Sequence, residues 1–179
     1  LKRLFTLVFE DGFLQTVSFT LLRIIGGYFA GFVLGTVLGV IAGRFKLVET
    51  LLWPYMITVK SVPVASFIVI ALIWLASSKL SVFISFLMVL PIVYTNILTG
   101  IKNTDKKLVQ AAKLFKLSGA KKFLFIHLPQ LKPYIISACS VSIGLAWKSG
   151  VAAEVIAIPD GSLGEMLYNA KVYYDTADL

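Results

Sequence analysis

Residues 24–43 read IIGGYFAGFVLGTVLGVIAG. Twenty residues pass without a charge, and glycine returns at every fourth position: Gly27, Gly31, Gly35, Gly39 and Gly43. A bilayer core about 30 Å thick is crossed by about 20 apolar residues of helix. A residue every four positions falls on one helical face. The stretch therefore predicts a membrane-spanning helix with a ridge bare of side chains, against which a second membrane helix can pack backbone to backbone. Two readings of the ridge stand: a static packing face, or a surface along which the helix shifts against its neighbour.

The whole chain shares this character. Its 179 residues make one domain by length, 58% of them are hydrophobic and only 15% are charged, where soluble proteins carry about 25% charge. Mean hydropathy is +0.89. Disorder is excluded, and so is a disulfide scaffold, since Cys139 is the only cysteine. One His and one Cys exclude a self-contained metal centre, so no metal ligands are assigned. The class left is an all-α, multi-pass membrane protein whose first partner is the lipid bilayer. The net charge of +8 would suggest nucleic acid in a soluble chain. In a membrane chain it points instead to basic cytoplasmic loops.

Uncharged runs at 24–43, 61–78 (between Lys60 and Lys79) and 80–101, with a fourth apolar stretch from Pro133, predict spans at about 15–43, 54–78, 80–101 and 133–158. The last is the weakest, because Lys148 and Glu154 interrupt it. Pro54, Pro63 and Pro91 lie at or inside spans, where proline kinks a helix and frees carbonyls. Residues 1–22 are amphipathic and residues 159–179 polar, so a helix is expected to be lacking at each end of this chain.

Lysine sets the orientation. Residues 102–132 hold 8 of the 17 basic residues and one acid, Asp105, so this loop is expected in the cytoplasm. Alternation then places residues 1–22, the turn near Ser77–Lys79 and residues 159–179 on the outer face. Lys2, Arg3 and Arg23 run against the rule.

The loop itself is patterned. Asn103 or Thr104 can cap a helix from Asp105 to about Leu117, with Leu108, Val109, Ala112 and Phe115 at helical spacing. Ser118-Gly119 marks a turn, and a short helix from Ala120 to Leu128 precedes Pro129 and Pro133. A basic loop with one apolar side suggests a docking surface for a soluble partner.

Gln110-Ala111-Ala112, Lys116, Ile126, Leu128 and Pro129 fall at the spacings E-A-A, three residues, G, nine residues, I-x-L-P. The loop thus resembles the cytoplasmic loop of ABC importer permeases, with Gln110 in place of Glu and Lys116 in place of Gly. The later run GLAWKSGVAAEVIAIPDGSLGEMLYNAKVYY is similar to the nitrate/sulfonate/taurine branch of that family. The resemblance spans residues 13–179. It implies a type I importer transmembrane domain of about six helices, a single permease domain over 1–179 here, in the plasma membrane of a prokaryote. It further implies a permease homodimer, separate ABC ATPase subunits and an extracytoplasmic solute-binding protein. Gln110, Ala111, Ala112, Lys116, Ser118, Gly119, Ile126, Leu128 and Pro129 would form the coupling element. The solute would be a small anion such as nitrate, a sulfonate or taurine, or a vitamin precursor.

Single residues keep two readings. Lys116 contacts the ATPase or is one more solvated lysine. Lys148 and Glu154 face a translocation pathway, since charges inside spans turn toward the bundle interior or water, or they sit at the outer rim. Six residues apart, they do not share a face of a regular helix. His127 fits an interfacial place, and Cys139 small-residue packing. No G-x-x-x-x-G-K-[ST] loop occurs, so ATP-Mg belongs on a partner and this chain binds no cofactor. A membrane enzyme would need a nucleophile–base set or a metal, which the sequence lacks. A secondary transporter or a non-transport scaffold is the alternative; secondary carriers show repeated halves, and none is visible.

Overall fold

The structure, a computed structural model, describes residues 12–174. Residues 1–11 and 175–179, which include the first half of the amphipathic start and the end of the polar tail, lie outside the described residues. Helix α1 runs over Phe13–Arg44, α2 over Lys46–Ser61, α3 over Val64–Leu72 and α4 over Ser77–Lys102. The loop contributes α5, Lys106–Leu114, and a short turn of helix α6, Gly119–Lys122. A π-helical turn, Phe123–His127, leads into α7, Leu128–Ala157, and α8 covers Leu163–Val172. Among the described residues, three helices are long and apolar enough to cross a membrane, and the α2–α3 pair, bent by 99°, makes a fourth crossing if taken as one span.

The centre of the bundle is α4. Leu80, Ile84, Val89, Val93 and Ile97 bury along its length against α1, α3 and α7. A helix apolar all round lies either in a protein core or in a membrane, and α4 is the one at the core. The outer helices instead expose large apolar side chains, among them Leu22, Phe29, Val33 and Val40 on α1. In water these faces would be costly; hydrocarbon is their solvent.

The glycine ridge packs on α4. A Cβ at Gly31 would lie 2.8 Å from the Phe86 carbonyl oxygen, and one at Gly35 2.8 Å from that of Leu90. Gly27 meets Val82 and Gly39 meets Tyr94 in the same way. Each contact advances by four residues on both helices, so α1 and α4 run parallel. The chain must therefore return across the bundle between Arg44 and Ser77, and α2–α3 makes that return.

Apart from the two ends of α5, the structure departs from the sequence expectation in three places. The span at 54–78 is not one helix: Ser61–Pro63 breaks it, because Pro63 opens α3 and holds Val62 extended. The segment 120–128 is not a separate helix but runs on into α7. Pro129 has no N–H for the Phe125 carbonyl, and the chain widens into a π turn in which the Leu128 N–H bonds to the Phe123 carbonyl. Within the segment 159–179, Ser162 accepts from the Glu165 N–H at 3.1 Å while Glu165 reaches back to the Gly161 N–H, a capping pair that starts α8.

Candidate functional site

Three places gather the residues singled out by sequence. The first is the 102–132 loop. Its helix α5 starts at Lys106 and is capped by Asp105, not by Asn103 or Thr104: Asp105 Oδ1 accepts from the Lys107 N–H at 2.7 Å. It ends at Leu114 rather than Leu117. Lys116 adopts a left-handed φ of 49°, and the Leu117 N–H bonds to the Ala112 carbonyl at 3.0 Å. This is a Schellman closure with lysine at the position that glycine favours. The family pattern's Gly thus has a backbone reason, and Lys116 fills the position at a steric cost.

Around this turn the surface is apolar. Leu114 is 83% exposed and Phe115 79%, with Leu117, Phe123, Leu124 and Phe125 also exposed. Gln110, Lys116, Ser118, Gly119, Leu128 and Pro129 are exposed as well, while Ala111, Ile126 and His127 are half-buried. Ala112 differs: it is 3% exposed and buried by this chain itself.

The base of the loop is fastened to two long helices. The Asp105 N–H donates to Gln130 Oε1 at 2.7 Å, and Asn103 Nδ2 donates to the Tyr134 hydroxyl at 2.9 Å. Gly100 lets the Tyr134 ring close on α4, since a Cβ there would meet it at 2.9 Å. Displacing α5 therefore pulls on the end of α4 and the start of α7 together. Asn103 was weighed only as a helix cap, and neither Gln130 nor Tyr134 was singled out in the sequence reading. No local pattern marks them, because their partners come from across the loop.

The second place joins α1, α7 and α8. Glu154 has no exposure; its Oε2 accepts from Thr20 Oγ1 at 2.8 Å, and Thr20 Oγ1 accepts from the Leu163 N–H at 3.0 Å. Gly164 sits directly on the Glu154 backbone. Glu154 Oε1 and Arg23 Nη1 are buried without hydrogen-bond partners, and the Arg23 guanidinium lies 3.7 Å over the Phe19 ring.

Lys148 is not brought to Glu154. It is exposed on the side of α7 away from Ala146, Gly150 and Ala153, which face the bundle.

The third place is the ridge: Gly27, Gly31, Gly35 and Gly39 are buried and Gly43 half-buried against Ile101. Cys139 is half-buried.

The chain is similar to known proteins. The family described as binding-protein-dependent transport system inner membrane component matches residues 35–179. The chain belongs to this family. Its fold is that of the all-α ABC importer transmembrane domain, and it is a multi-pass permease of the plasma membrane. A probable ABC transporter permease of Brucella melitensis is 26% identical over 98% of this chain and 71% of its own length. The taurine transport system permease of Escherichia coli is 28% identical over 98% of this chain and 66% of its own. The nitrate import permease of Leptolyngbya laminosa is 28% identical over 82% of this chain and 53% of its own. The permease family is a transport family and not an enzyme family.

Proposed function

We propose that this permease forms the translocation pathway of an ATP-driven importer as a single transmembrane domain and couples to a separate ATPase through residues 102–132. The observation that carries the reading is the exposed apolar surface at Leu114, Phe115 and Phe123–Phe125, presented on a base tied to both α4 and α7. An apolar patch on a basic loop is costly in water and profitable under a partner. The lysines around it support a cytoplasmic position for this end, on the side where ATP is. ATP-Mg would then bind to the partner, and the hydrogen bonds of Asn103 and Asp105 would carry its closure into the spans.

The opposite end, with α8 and the Thr20–Glu154 knot, faces outward and receives solute from an extracytoplasmic binding protein. A second permease copy completes the pathway. The relatives named for taurine, which bears a sulfonate, and for nitrate support a small solute with an anionic group.

Expression of the full permease with the ATPase and binding protein encoded beside it tests this. The expected result is a co-purifying ATPase whose hydrolysis rises when the loaded binding protein is added. A permease that purifies without an ATPase and moves solute down an ion gradient would establish the secondary-transporter alternative instead.

A further inference from the structure

The elbow between α2 and α3 carries a lysine that neither the ridge nor the loop uses. Val59, the residue before Lys60, packs with Leu87 and Met88. These lie at the middle of the 26-residue helix α4, so the break at 61–63 sits near the bilayer midplane. Lys60 Nζ donates to Thr95 Oγ1 at 2.6 Å, a neutral hydroxyl that leaves the ammonium's charge uncancelled. Thr95 is seven residues from Lys102 at the basic end, about 10 Å along a helix. An ammonium held there lies well below the headgroups.

Below it, α4 changes character. Thr95, Asn96 and Thr99 make one polar face that leads to Asn103 at the helix end. Their side chains bond back to the carbonyls of Pro91, Ile92 and Thr95. Thr95 and Asn96 are half-buried and Thr99 is exposed, whereas the serines of the upper half, Ser81 and Ser85, are fully buried. The side-chain oxygen of Asn96, Oδ1, and the threonine lone pairs remain free to meet water. Charged groups within spans turn to a water-filled cavity or a substrate path, and broken helices at the midplane are where membrane transporters place their ligand.

We infer that Lys60 and the Thr95–Asn96–Thr99 face of α4 line the inner half of the translocation pathway, with the Lys60 ammonium meeting the negative group of a small anion on the cytoplasmic side of the midplane. The inference rests on the permease reading above and names the cargo charge and the residue that receives it. Lys148, at the level where Ser85 Oγ bonds to the Ala146 carbonyl, lies higher on the other side of the bundle and is not part of this face.

The test uses the full permease in lipid nanodiscs with its ATPase subunits, carrying Cys139→Ala and Thr99→Cys. Two water-soluble methanethiosulfonate reagents are compared, one bearing a sulfonate and one a quaternary ammonium, each normalised to free cysteine. With Lys60 present, the sulfonate reagent should react about tenfold faster than the cationic one, as expected for a charge one helical turn away in a partly aqueous path. Lys60→Arg should keep this preference and Lys60→Gln abolish it. Thr99→Cys unreactive to both reagents would mean a dry face and overturn the proposal, as would a preference unchanged by Lys60→Gln. If Lys60→Gln fails to accumulate, the parent decides: equal rates for the two reagents overturn the role of Lys60. ATPase retention is scored on the same samples. A dry face with the ATPase bound sinks this inference alone, and a lost ATPase sinks the importer reading while the labelling ratio still reports on Lys60.

Discussion

Thr20 and Glu154, 134 residues apart, meet at 2.8 Å where the Thr20 hydroxyl donates to Glu154 Oε2. The same hydroxyl accepts the Leu163 N–H, so one oxygen joins three helices. Thr20→Val keeps the shape and removes both bonds, leaving a buried carboxyl oxygen and a half-buried N–H unpaired. Each unsatisfied group costs about 1–3 kcal/mol, so thermal unfolding in detergent should show a clear loss of stability, with Thr20→Ser close to the parent. A Thr20→Val protein as stable as the parent would show that water serves these groups.

The ridge makes a paired prediction. Gly27→Ala places a methyl into the Val82 carbonyl, whereas Gly26→Ala, one residue away, meets nothing within 4 Å. Overpacking costs typically 1–3 kcal/mol, while Gly→Ala on an open helix face gains up to about 1 kcal/mol. Gly27→Ala should lower the yield of folded permease and Gly26→Ala should not. Equal behaviour of the two would mean that α1 does not seat on α4 along this face.

Legibility followed the range of the interactions. The ridge was readable because its period of four is the same in the sequence and in the contacts. The α2–α3 elbow was hidden inside an uncharged run, with Pro63 as its only sign, and Pro54 and Pro91 looked the same yet sit inside continuous helices. Helix α8 was missed although Ser162-x-x-Glu165 signals its start; the polarity of the segment outweighed the cap. Glu154 was visible as a charge in a span, but Thr20 was not, since a threonine that far away carries no local pattern. Lys60 was passed over because it was taken as the edge of an uncharged run, and only the bend puts it below the headgroups.

Lys116 gives a prediction of opposite sign. A non-glycine residue in the left-handed region is strained by roughly 1–2 kcal/mol. Lys116→Gly relieves this at φ 49° and restores the family's residue. The gain is offset in part by glycine's freedom in the unfolded chain. A net stabilisation of about 0.5–1 kcal/mol is expected, measured as slower proteolysis of the loop. If the lysine instead binds the ATPase, Lys116→Gly weakens the complex while stabilising the free permease, and a pull-down separates the two readings of this residue.

Coupling gives the last prediction, and burial decides which residue tests it. A charge at Ala112 would first disturb this subunit, since Ala112 is 3% exposed within its own fold. Phe115 is 79% exposed beside the Lys116 turn, so Phe115→Asp should leave folding and membrane level unchanged. On docking, however, the new carboxylate would lose its water, and an unpaired buried charge costs several kcal/mol. A micromolar contact is worth about 8 kcal/mol, so most of the binding should vanish. The expected outcome is normal permease in the membrane, no ATPase in the pull-down and no uptake. A solvated loop with no partner would tolerate aspartate, because the side chain already faces water. Retention of the ATPase and uptake at the parent rate by Phe115→Asp would remove this surface from the coupling path, whatever the fate of the rest of the permease.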